Sequence, residues 1–349
     1  MSPVEKGPLG LGESVVVGID NGGTCNNVTV LDRSGRFLID EMVEIPSRVR
    51  EGTAAGLDAL EEALDKALAV TGIPRERVCA VGLDSPGPAS SNGVLSVEGS
   101  TNFGDPGWRG FDLRGHLEAR LALPVIYSND GNAAALYAHR VHFGADCLSR
   151  SSVSAIVGTG LGGGIVQWGR VVEGTSGQAG ELGHVSIPME GLLEPGQPVP
   201  RCNCGVTGDA ESVASLTGIE HNLLPYFLSR FPDHELASLQ PVSRAARAIR
   251  SYGEARDPMA VAIFTQQAAA LGRLFTIAAN LLDADAYFVG GGVVETDSAF
   301  QEWFLATVRK STTLRPESAA KAVFGLVPDL DMAGARGAAM AALEAVCAG

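Results

Sequence analysis

Two short segments near the middle of the chain place carboxylates, a histidine and two thiols between glycines. The first is 179–184 (AGELGH), and the second is 202–211 (CNCGVTGDAE). Carboxylates accept hydrogen bonds from two hydroxyls at once, and sugars are the common ligands that offer hydroxyls in pairs. These segments therefore predict a site for a polyhydroxylated ligand beside a small metal site. A capped helix start with a buried pair of thiols is the structural alternative for these segments alone.

Four side chains in these segments are of types that bind zinc. His184, Cys202 and Cys204 supply three ligands, whereas structural zinc sites use four. Asp209 is the candidate for the fourth, because a carboxylate oxygen is an accepted although less common zinc ligand. The Cys-x-Cys spacing is a weaker signal than Cys-x-x-Cys, so a zinc site and a metal-free segment both remain open from the residues.

Two turns rich in glycine and threonine occur at matching places in the two halves of the chain. Residues 20–24 (DNGGT) and 158–160 (GTG) each follow an apolar run. Successive backbone N–H groups in such turns bind anions, so both are candidates for holding phosphate. Asp20 stands where a carboxylate could hold Mg²⁺ through water. Ordinary hairpin turns are the alternative for either turn alone, and the sequence contains no Walker loop.

Asn129 and Asp130 directly precede a predicted helix. The positive end of that helix favours an ionised carboxylate, which could accept a proton from an attacking hydroxyl as a general base. A plain helix N-cap is the alternative reading.

Asn102 and Trp108 lie in a loop rich in glycine and proline. They could contact the edge of a sugar, or the segment could be a simple surface loop. The triplet at 290–292 follows a buried strand and could pass close to an adenine ring.

The elements around these residues alternate between strands and helices. The patterns predict strands at 14–20, 27–31, 78–83, 125–127, 153–157, 165–168 and 286–289, and helices at 53–70, 113–121, 131–143, 259–282 and 333–347, with a turn over 158–164. This alternation predicts an α/β protein with partly parallel sheets. Because both halves open with a strand, a Gly/Thr turn and a returning strand, we expect two lobes with a cleft between them.

The expected domain boundaries follow from this order. Residues 1–13 are predicted to be a flexible leader. Residues 14–140 form a small N-terminal lobe, completed by the C-terminal helix at 333–347. Residues 141–332 form a larger lobe that carries the metal and sugar segment at 181–211.

Composition excludes several classes of partner. A formal net charge of −14 disfavours nucleic-acid binding, and no run reaches the ~20 apolar residues that a membrane helix requires. Six cysteines, scattered except for the pair at 202 and 204, favour a reducing cytoplasm over a disulfide framework.

The five histidines outside the metal segment are expected on helix surfaces or in loops; they are His116, His139, His142, His221 and His234.

In their order along the chain, these motifs resemble those of the ROK family of sugar kinases, repressors and uncharacterised proteins, within the actin/hexokinase/Hsp70 superfamily. The resemblance spans about residues 15–342. The matching segments are 20–24 and 158–164 for the phosphate motifs, 129–135 (NDGNAAA) for the catalytic motif, 181–184 (ELGH) for the sugar signature, 202–211 for the cysteine segment and 289–293 for the adenosine motif.

The resemblance implies a two-lobed kinase with the actin-like ATPase (ribonuclease H-like) fold, in which each lobe is a mixed β-sheet flanked by helices. ATP with Mg²⁺ would lie between the glycine turns, and Asp130 would take the proton from a hexose C6 hydroxyl. By carry-over, the sugar-binding residues are Asn102, Asn129, Glu181, His184, Glu211, Pro86 and Gly87. The nucleotide-binding residues are Asp20, Gly22, Gly23, Thr24, Gly158, Thr159, Gly160, Gly290, Gly291 and Gly292, and the metal ligands are His184, Cys202, Cys204 and Asp209.

Three residues depart from the family pattern. Asp209 stands where the family has a cysteine, which bears on zinc retention. Cys25 stands where a basic residue usually follows the first Gly-Gly-Thr, which bears on phosphate contacts. Asn21 replaces a residue that is usually apolar.

The expected function is an ATP-dependent hexokinase of the glucokinase type. The alternatives are a kinase for N-acetylmannosamine, N-acetylglucosamine or an aminodeoxyglucose, and a non-catalytic sugar sensor. A repressor is disfavoured because residues 1–13 are too short for a DNA-binding helix pair. The sequence leaves open the sugar, since small changes around the C2 and C3 hydroxyls decide it, and whether polyphosphate replaces ATP. A homodimer is the family-based expectation.

Overall fold

A computed structural model describes residues 14–98 and 102–348; the predicted leader lies outside these ranges. The strands are β1 (Val15–Asn21), β2 (Cys25–Asp32), β3 (Val43–Pro46), β4 (Val78–Ser85), β5 (Val125–Asn129), β6 (Ser152–Val157), β7 (Leu161–Gln167), β8 (Arg170–Val171), β9 (Ala286–Gly290) and β10 (Val323–Leu326). The α-helices are α1 (Thr53–Thr71), α2 (Leu113–Leu121), α3 (Asp130–Phe143), α4 (Glu211–Ala214), α5 (Leu216–Gly218), α6 (Leu224–Arg230), α7 (Val242–Glu254), α8 (Pro258–Leu282), α9 (Ser298–Ser311), α10 (Pro316–Ala319) and α11 (Ala333–Ala348).

The chain divides into two compact units. The first contains the described residues up to Ala133, together with Thr175–Gly177 and the C-terminal segment from Asp331, and the second contains Ala134–Gly174 and Gln178–Leu330. The sequence places the division after residue 140; the structure places it in the same helix, α3, after Ala133.

A five-stranded mixed sheet forms the centre of the first unit, in the order β3-β2-β1-β4-β5. Strands β1 and β2 form an antiparallel hairpin, whereas β4 lies parallel to both β1 and β5. One face carries alternate residues of β1 into a core with Leu60 and Leu64 of α1. The other face packs against α11, where a Cβ on Gly18 or Gly82 would collide with the helix backbone. Only glycine therefore permits the sheet and α11 to lie this close.

The second unit is built on a sheet of the same kind, in the order β10-β9-β6-β7-β8. Strands β6 and β7 form the antiparallel hairpin, and β9 lies parallel to both β6 and β10. Helix α8 has the length and mean hydropathy of a membrane span, although Gln266, Gln267 and Arg273 interrupt its apolar run. Its apolar residues, including Ile263, Leu271 and Phe275, are buried in the core of this unit, as in the core helix of a globular protein.

The α/β fold class is confirmed, and three predictions about elements are corrected. The predicted turn over 158–164 ends at Gly160, because Gly162, Gly163 and Gly164 pair with β6 as part of β7. The helix expected from residue 131 begins at Asp130. His139 is fully buried, and its ring nitrogens lie 2.8 Å from Ser152 Oγ and 2.9 Å from the Cys147 carbonyl oxygen. Buried polar partners allow a histidine to occupy a core position that sequence pattern alone assigns to a surface.

Candidate active site

The first glycine turn, residues 22–24, joins β1 to β2 at the end of the first sheet. The N–H of Gly22 donates to the Cys25 carbonyl over 2.9 Å, which closes the turn. A Cβ on Gly22 would lie 2.9 Å from that same carbonyl oxygen, and a Cβ on Gly23 would lie 3.1 Å from Oδ1 of Asn102. Close packing against backbone therefore favours glycine at residue 22, and Asn102 lies against the predicted phosphate turn at Gly23.

The departure at Asn21 is accommodated by a second polar residue. Asn21 and Asn26 face each other across the β1–β2 hairpin, both are fully buried, and Nδ2 of Asn21 donates to Oδ1 of Asn26 over 2.6 Å. The paired amides replace the apolar contact that the family pattern predicts at this place, since a buried polar side chain needs a hydrogen-bond partner.

Asp20 lies two residues before Gly22, opposite Asp84 in the parallel pairing of β1 with β4. Burial raises the pKa of Asp20, while hydrogen bonding with Asp84 and Asn27 opposes that rise. Burial also raises the pKa of Asp84 well above its usual range, and the charges of Asp20 and Asp130 add to the effect. The first unit therefore concentrates three carboxyl groups at the carboxyl ends of its parallel strands.

Asn129 and Asp130 stand at the junction of β5 and α3. The N–H of Gly131 donates to Oδ1 of Asn129 over 2.9 Å and to Oδ1 of Asp130 over 2.7 Å. Both side chains are half-buried. This bifurcated bond orients the two side chains at the first turn of the helix. Both side chains therefore take part in capping the helix, which the sequence offered as the alternative to catalysis. The second carboxylate oxygen of Asp130 lies outside this bond.

The loop after β4 carries two predicted sugar ligands, Pro86 and Gly87, both half-buried. It is anchored by Ser85, whose Oγ lies 2.8 Å from the Tyr127 hydroxyl. The loop residue Trp108, in contrast, is a core residue. Its indole N–H donates to the Val49 carbonyl over 2.7 Å, and only 2% of its surface is exposed. Its contact with a sugar edge is therefore excluded.

The second glycine turn, residues 158–160, joins β6 to β7 in the second unit. The predicted sugar ligand Glu211 holds this turn directly, because its Oε2 accepts the N–H of Leu161 over 2.8 Å. A Cβ on Gly160 would lie 2.8 Å from the same oxygen. The carbonyl groups of Gly158 and Thr159 accept hydrogen bonds from the N–H groups of residues 216 and 217. The second unit thus brings a predicted phosphate turn and a predicted sugar ligand into contact.

Glu181 precedes a short 3-10 helix, Leu182–His184, that packs on this turn. A Cβ on Gly183 would collide with the Leu161 carbonyl, which explains the glycine in the Glu-x-Gly-His pattern. Burial raises the pKa of Glu181; the positive charge of His184 opposes this, and the negative charge of Glu211 adds to it. The second unit therefore places Glu181, His184 and Glu211 within electrostatic reach of one another.

The four predicted zinc ligands come together in the second unit. One ligand atom from each of His184, Cys202, Cys204 and Asp209 lies within 4.8 Å of all the others. His184 Nδ1 lies 3.5 Å from Asp209 Oδ2 and 3.9 Å from Cys202 Sγ, and Cys204 Sγ lies 3.7 Å from Asp209 Oδ2. Zinc bond lengths in tetrahedral geometry require separations of about 3.3–3.8 Å. Asp209 is fully buried, and its other oxygen accepts the Ser212 N–H over 2.9 Å.

Cys202 also connects the thiol cluster to the sugar residues. Its Sγ lies 3.4 Å from Oε1 of Glu211, whose other oxygen holds the second glycine turn. Burial raises the pKa of Cys202, and the neighbouring Asp209 carboxylate adds to the rise. A bound cation would reverse this, because a coordinating thiol is deprotonated.

A cavity of about 350 Å³ opens beside the second turn. It is lined at one side by Gly158, Thr159, Gly292 and Val293, so the structure brings the predicted phosphate and adenosine motifs of this unit together. Gly291 takes φ +82°, and a Cβ there would lie 2.5 Å from the Val157 carbonyl oxygen. The apolar walls are Leu216, Ile219, Ala246, Ile249 and Phe264. The volume and the lining are typical of a small-molecule site.

Three functional candidates escaped the sequence analysis. Arg247 and Arg250 line the cavity from α7, and Nη1 of Arg250 donates to the Gly292 carbonyl over 2.7 Å. Their spacing of three residues along an amphipathic helix is the signal that could have found them. Asp84 is the third; a charged residue at the end of an apolar strand is its sequence signal.

Comparison with known proteins decides the family. The profile of the ROK family matches residues 16–345. The chain belongs to the ROK family. This confirms the resemblance drawn from the motifs and the actin-like two-lobed fold class.

Three individual similarities have names that bear on function. A glucokinase from Halalkalibacterium halodurans is 34% identical over 290 residues, which cover 79% of this chain and 80% of the relative. An N-acetylmannosamine kinase from Vibrio cholerae is 30% identical over 237 residues, which cover 68% of this chain and 71% of the relative. The crystal structure of a ROK family glucokinase from Streptomyces griseus in complex with glucose and AMPPNP has a TM-score of 0.70 and 28% sequence identity, with 95% of this chain and 100% of that chain covered.

Proposed function

We propose that this ROK-family chain is an ATP-dependent hexokinase of the glucokinase type, which transfers the γ-phosphoryl group of ATP to the C6 hydroxyl of glucose. The relatives confirm the expectation of a glucokinase-type sugar kinase. The structural observation that best supports the proposal is the hydrogen bond from the Leu161 N–H to Glu211. Within one unit it connects a proposed phosphate-binding turn to a proposed sugar-binding residue.

Asp130 is proposed as the general base. Its carboxylate is oriented at the start of α3 by the Gly131 N–H, where the positive end of the helix favours the ionised form. It would accept the proton of the C6 hydroxyl as that oxygen attacks the γ-phosphorus. Because phosphoryl transfer needs positioning and charge neutralisation more than covalent chemistry, a single well-placed base is sufficient on the protein side.

The side chains of Asn129, Glu181, His184 and Glu211 are proposed to bind the sugar. Asn102, Pro86 and Gly87 are proposed to complete the set. An ionised glutamate accepts two hydroxyl protons, and a half-buried carboxylate does so with little competition from water.

The cavity beside the second turn is proposed to hold the adenosine of ATP. Its apolar walls suit a planar base, and Gly158, Thr159 and Gly160 would place backbone N–H groups at the phosphates. Gly290, Gly291 and Gly292 would pass along the nucleoside. Such a compartment favours ATP over polyphosphate as donor, because polyphosphate has no base to fill it.

The first turn is proposed to bind the terminal phosphates through Gly22, Gly23 and Thr24. Asp20 fits a magnesium ligand, since it is an oxygen donor beside the turn and Mg²⁺ prefers oxygen. A bound Mg²⁺ would neutralise charge on the phosphates.

A structural zinc site is proposed at His184, Cys202, Cys204 and Asp209. The donor set and the separations between its atoms suit tetrahedral zinc. The contact of Cys202 with Glu211 would let the zinc site hold the proposed sugar-binding side chains in place. We further propose that the protein is cytoplasmic and acts as a homodimer on small molecules, with neither nucleic acid nor a membrane as partner.

A coupled assay of ADP release over a panel of hexoses and amino hexoses tests the proposal. We expect glucose to give the highest kcat/KM. Turnover of N-acetylmannosamine or another amino sugar with none of glucose would overturn the choice of sugar in favour of the amino-sugar alternative. Absence of ADP release with every sugar, in protein shown to bind glucose by calorimetry, would favour a sugar sensor.

A further inference from the structure

Asp84 is the most unusual acidic residue of the first unit. It lies near the carboxyl end of β4, and its side chain is fully buried. Within the described part of the chain, no donor hydrogen-bonds to either of its carboxylate oxygens. A buried carboxyl group with two unsatisfied oxygens costs several kcal/mol unless another group compensates it.

The side chains around Asp84 offer further oxygen atoms. Asp20 faces it across the β1–β4 pairing and lies within hydrogen-bond reach, and Ser128 stands opposite it on β5. The charge of Asp130 also acts on it. Among the described residues, no lysine or arginine pairs with Asp20 or Asp84.

Packing keeps this cluster in place. Asp20, Asp84 and Ser128 lie on the face of the sheet that packs against α11, because they alternate with residues of the opposite core. A Cβ on Gly334, in the first turn of α11, would lie 2.9 Å from Cγ of Asp20. The Asp20 carboxyl group therefore lies close to the first turn of α11, where glycine leaves it room.

A single shared proton would satisfy this cluster only partly. One proton bridges one oxygen of Asp20 and one of Asp84, and Asn27 donates to Asp20. The other oxygen of Asp84 would remain buried without a partner. A hard divalent cation with bound water satisfies oxygens of both residues and neutralises the charge as well.

We propose that Asp84 acts with Asp20 as a direct oxygen ligand of a divalent cation of the Mg²⁺ class, and that the pair holds this ion without nucleotide. The magnesium expected beside the phosphate turn needs only Asp20; the added ligand is Asp84. The inference rests on the proposed function for the role of the ion, but the binding itself requires neither sugar nor ATP.

Direct binding to nucleotide-free protein tests the inference. Zinc is first supplied so that the thiol site is filled, and Mn²⁺ is then titrated while free Mn²⁺ is followed by electron paramagnetic resonance. We expect saturable binding by the wild type and at least about tenfold weaker binding by Asp84→Asn, because one of two charged ligands is lost. Glu98→Gln, an exposed acid of the same unit, serves as the control and should bind like the wild type.

Two results would overturn the inference: no saturable binding by the wild type, or equal affinities for the wild type and Asp84→Asn. If Asp84→Asn does not fold, paramagnetic broadening in the wild type decides instead. Amide signals of Asp20 and Asp84 should be among the first to broaden with Mn²⁺, and broadening confined to other acids would reject the site. Because no ATP or sugar is present, this failure is distinguishable from a failure of the kinase assay.

Discussion

The two glycine turns have the same local backbone arrangement but different surrounding residues. Each joins the antiparallel strands of a hairpin, and each hairpin is followed across the sheet by parallel strands. Behind the first turn stand the half-buried Asp20 and the fully buried Asp84. Beside the second stand an apolar cavity and the carboxylate of Glu211, which is bonded to the turn backbone.

This difference shows that the hairpin turn supplies N–H groups but not specificity. An acidic surrounding suits a cation and the phosphates that it neutralises. An apolar surrounding suits a base. The hydrogen bond from Leu161 to Glu211 would, in the proposed function, connect the nucleotide site with the sugar site. The same backbone arrangement can therefore suit different ligand groups, depending on the residues that distant parts of the chain contribute.

The largest expected effect tests whether the chemistry belongs to the first unit. Asp130→Ala should lower kcat by about 10²–10⁴-fold, the range for loss of a general base. Glucose binding, measured by calorimetry, should change little, because the proposed sugar contacts of the second unit remain. Turnover close to that of the wild type would remove Asp130 from its proposed role.

A pair of substitutions within the second turn gives the next largest effect. In Gly160→Ala the added methyl meets Oε2 of Glu211 at 2.8 Å, whereas in Gly158→Ala it meets open space. We expect Gly160→Ala to raise KM for both ATP and glucose about tenfold, since it displaces Glu211, which contacts the turn and is proposed to bind the sugar.

Two further glycine variants serve as controls for Gly160→Ala. Gly158→Ala should change KM for ATP alone, and Gly22→Ala in the first turn should also leave glucose binding unchanged, because its methyl meets the Cys25 carbonyl. Equal effects of Gly160→Ala and Gly158→Ala on glucose would show that Glu211 does not couple the sites.

A smaller effect concerns pH. Burial, with a further contribution from Glu211, raises the pKa of Glu181, against the charge of His184. A raised pKa means that Glu181 takes up its proton at a higher pH than an ordinary glutamate, so glucose affinity should fall as the pH is lowered from about 7 to 5. KM for glucose should thus rise several-fold over this range in the wild type and much less in Glu181→Gln. Identical pH profiles would contradict a binding role for ionised Glu181.

The smallest effect is expected from the metal segment. Removal of zinc by a chelator should lower the Tm by a few degrees, at about 2–4 °C per kcal/mol for a domain of this size, and should weaken glucose binding through Glu211. Cys202→Ala should contain no zinc by elemental analysis and should melt like the chelated wild type. A chelated protein with unchanged Tm and activity would show that the thiols bind no structural metal.

The sequence predicted the local parts of the site well. The hairpins, the turns at residues 22–24 and 158–160, and the position of Asp130 at the start of α3 follow from short-range patterns of glycine, threonine and capping residues. The predicted zinc ligands did converge, because three of the four lie within a short segment. The boundary of the second turn was wrong, since glycines that pair as a strand resemble a loop in sequence.

Partners that come from distant elements could not be predicted in this way. Trp108 looked like a surface residue until packing placed it in a core, and His139 became a core residue through contacts with Ser152 and Cys147. Arg250 reaches Gly292 from a helix that the apolar pattern did not show.

The amino-acid sequence alone determined the family, the order of its motifs and where the backbone must be glycine, because these depend on residue type and near neighbours. The tertiary structure decided which side chains stand behind each turn. Strand register set Asp84 against Asp20, and packing of α4 against α8 and the 3-10 helix Leu182–His184 accompanies the contact of Glu211 with Leu161. Register and packing arise from contacts between residues far apart in the chain, and for that reason local patterns do not encode them.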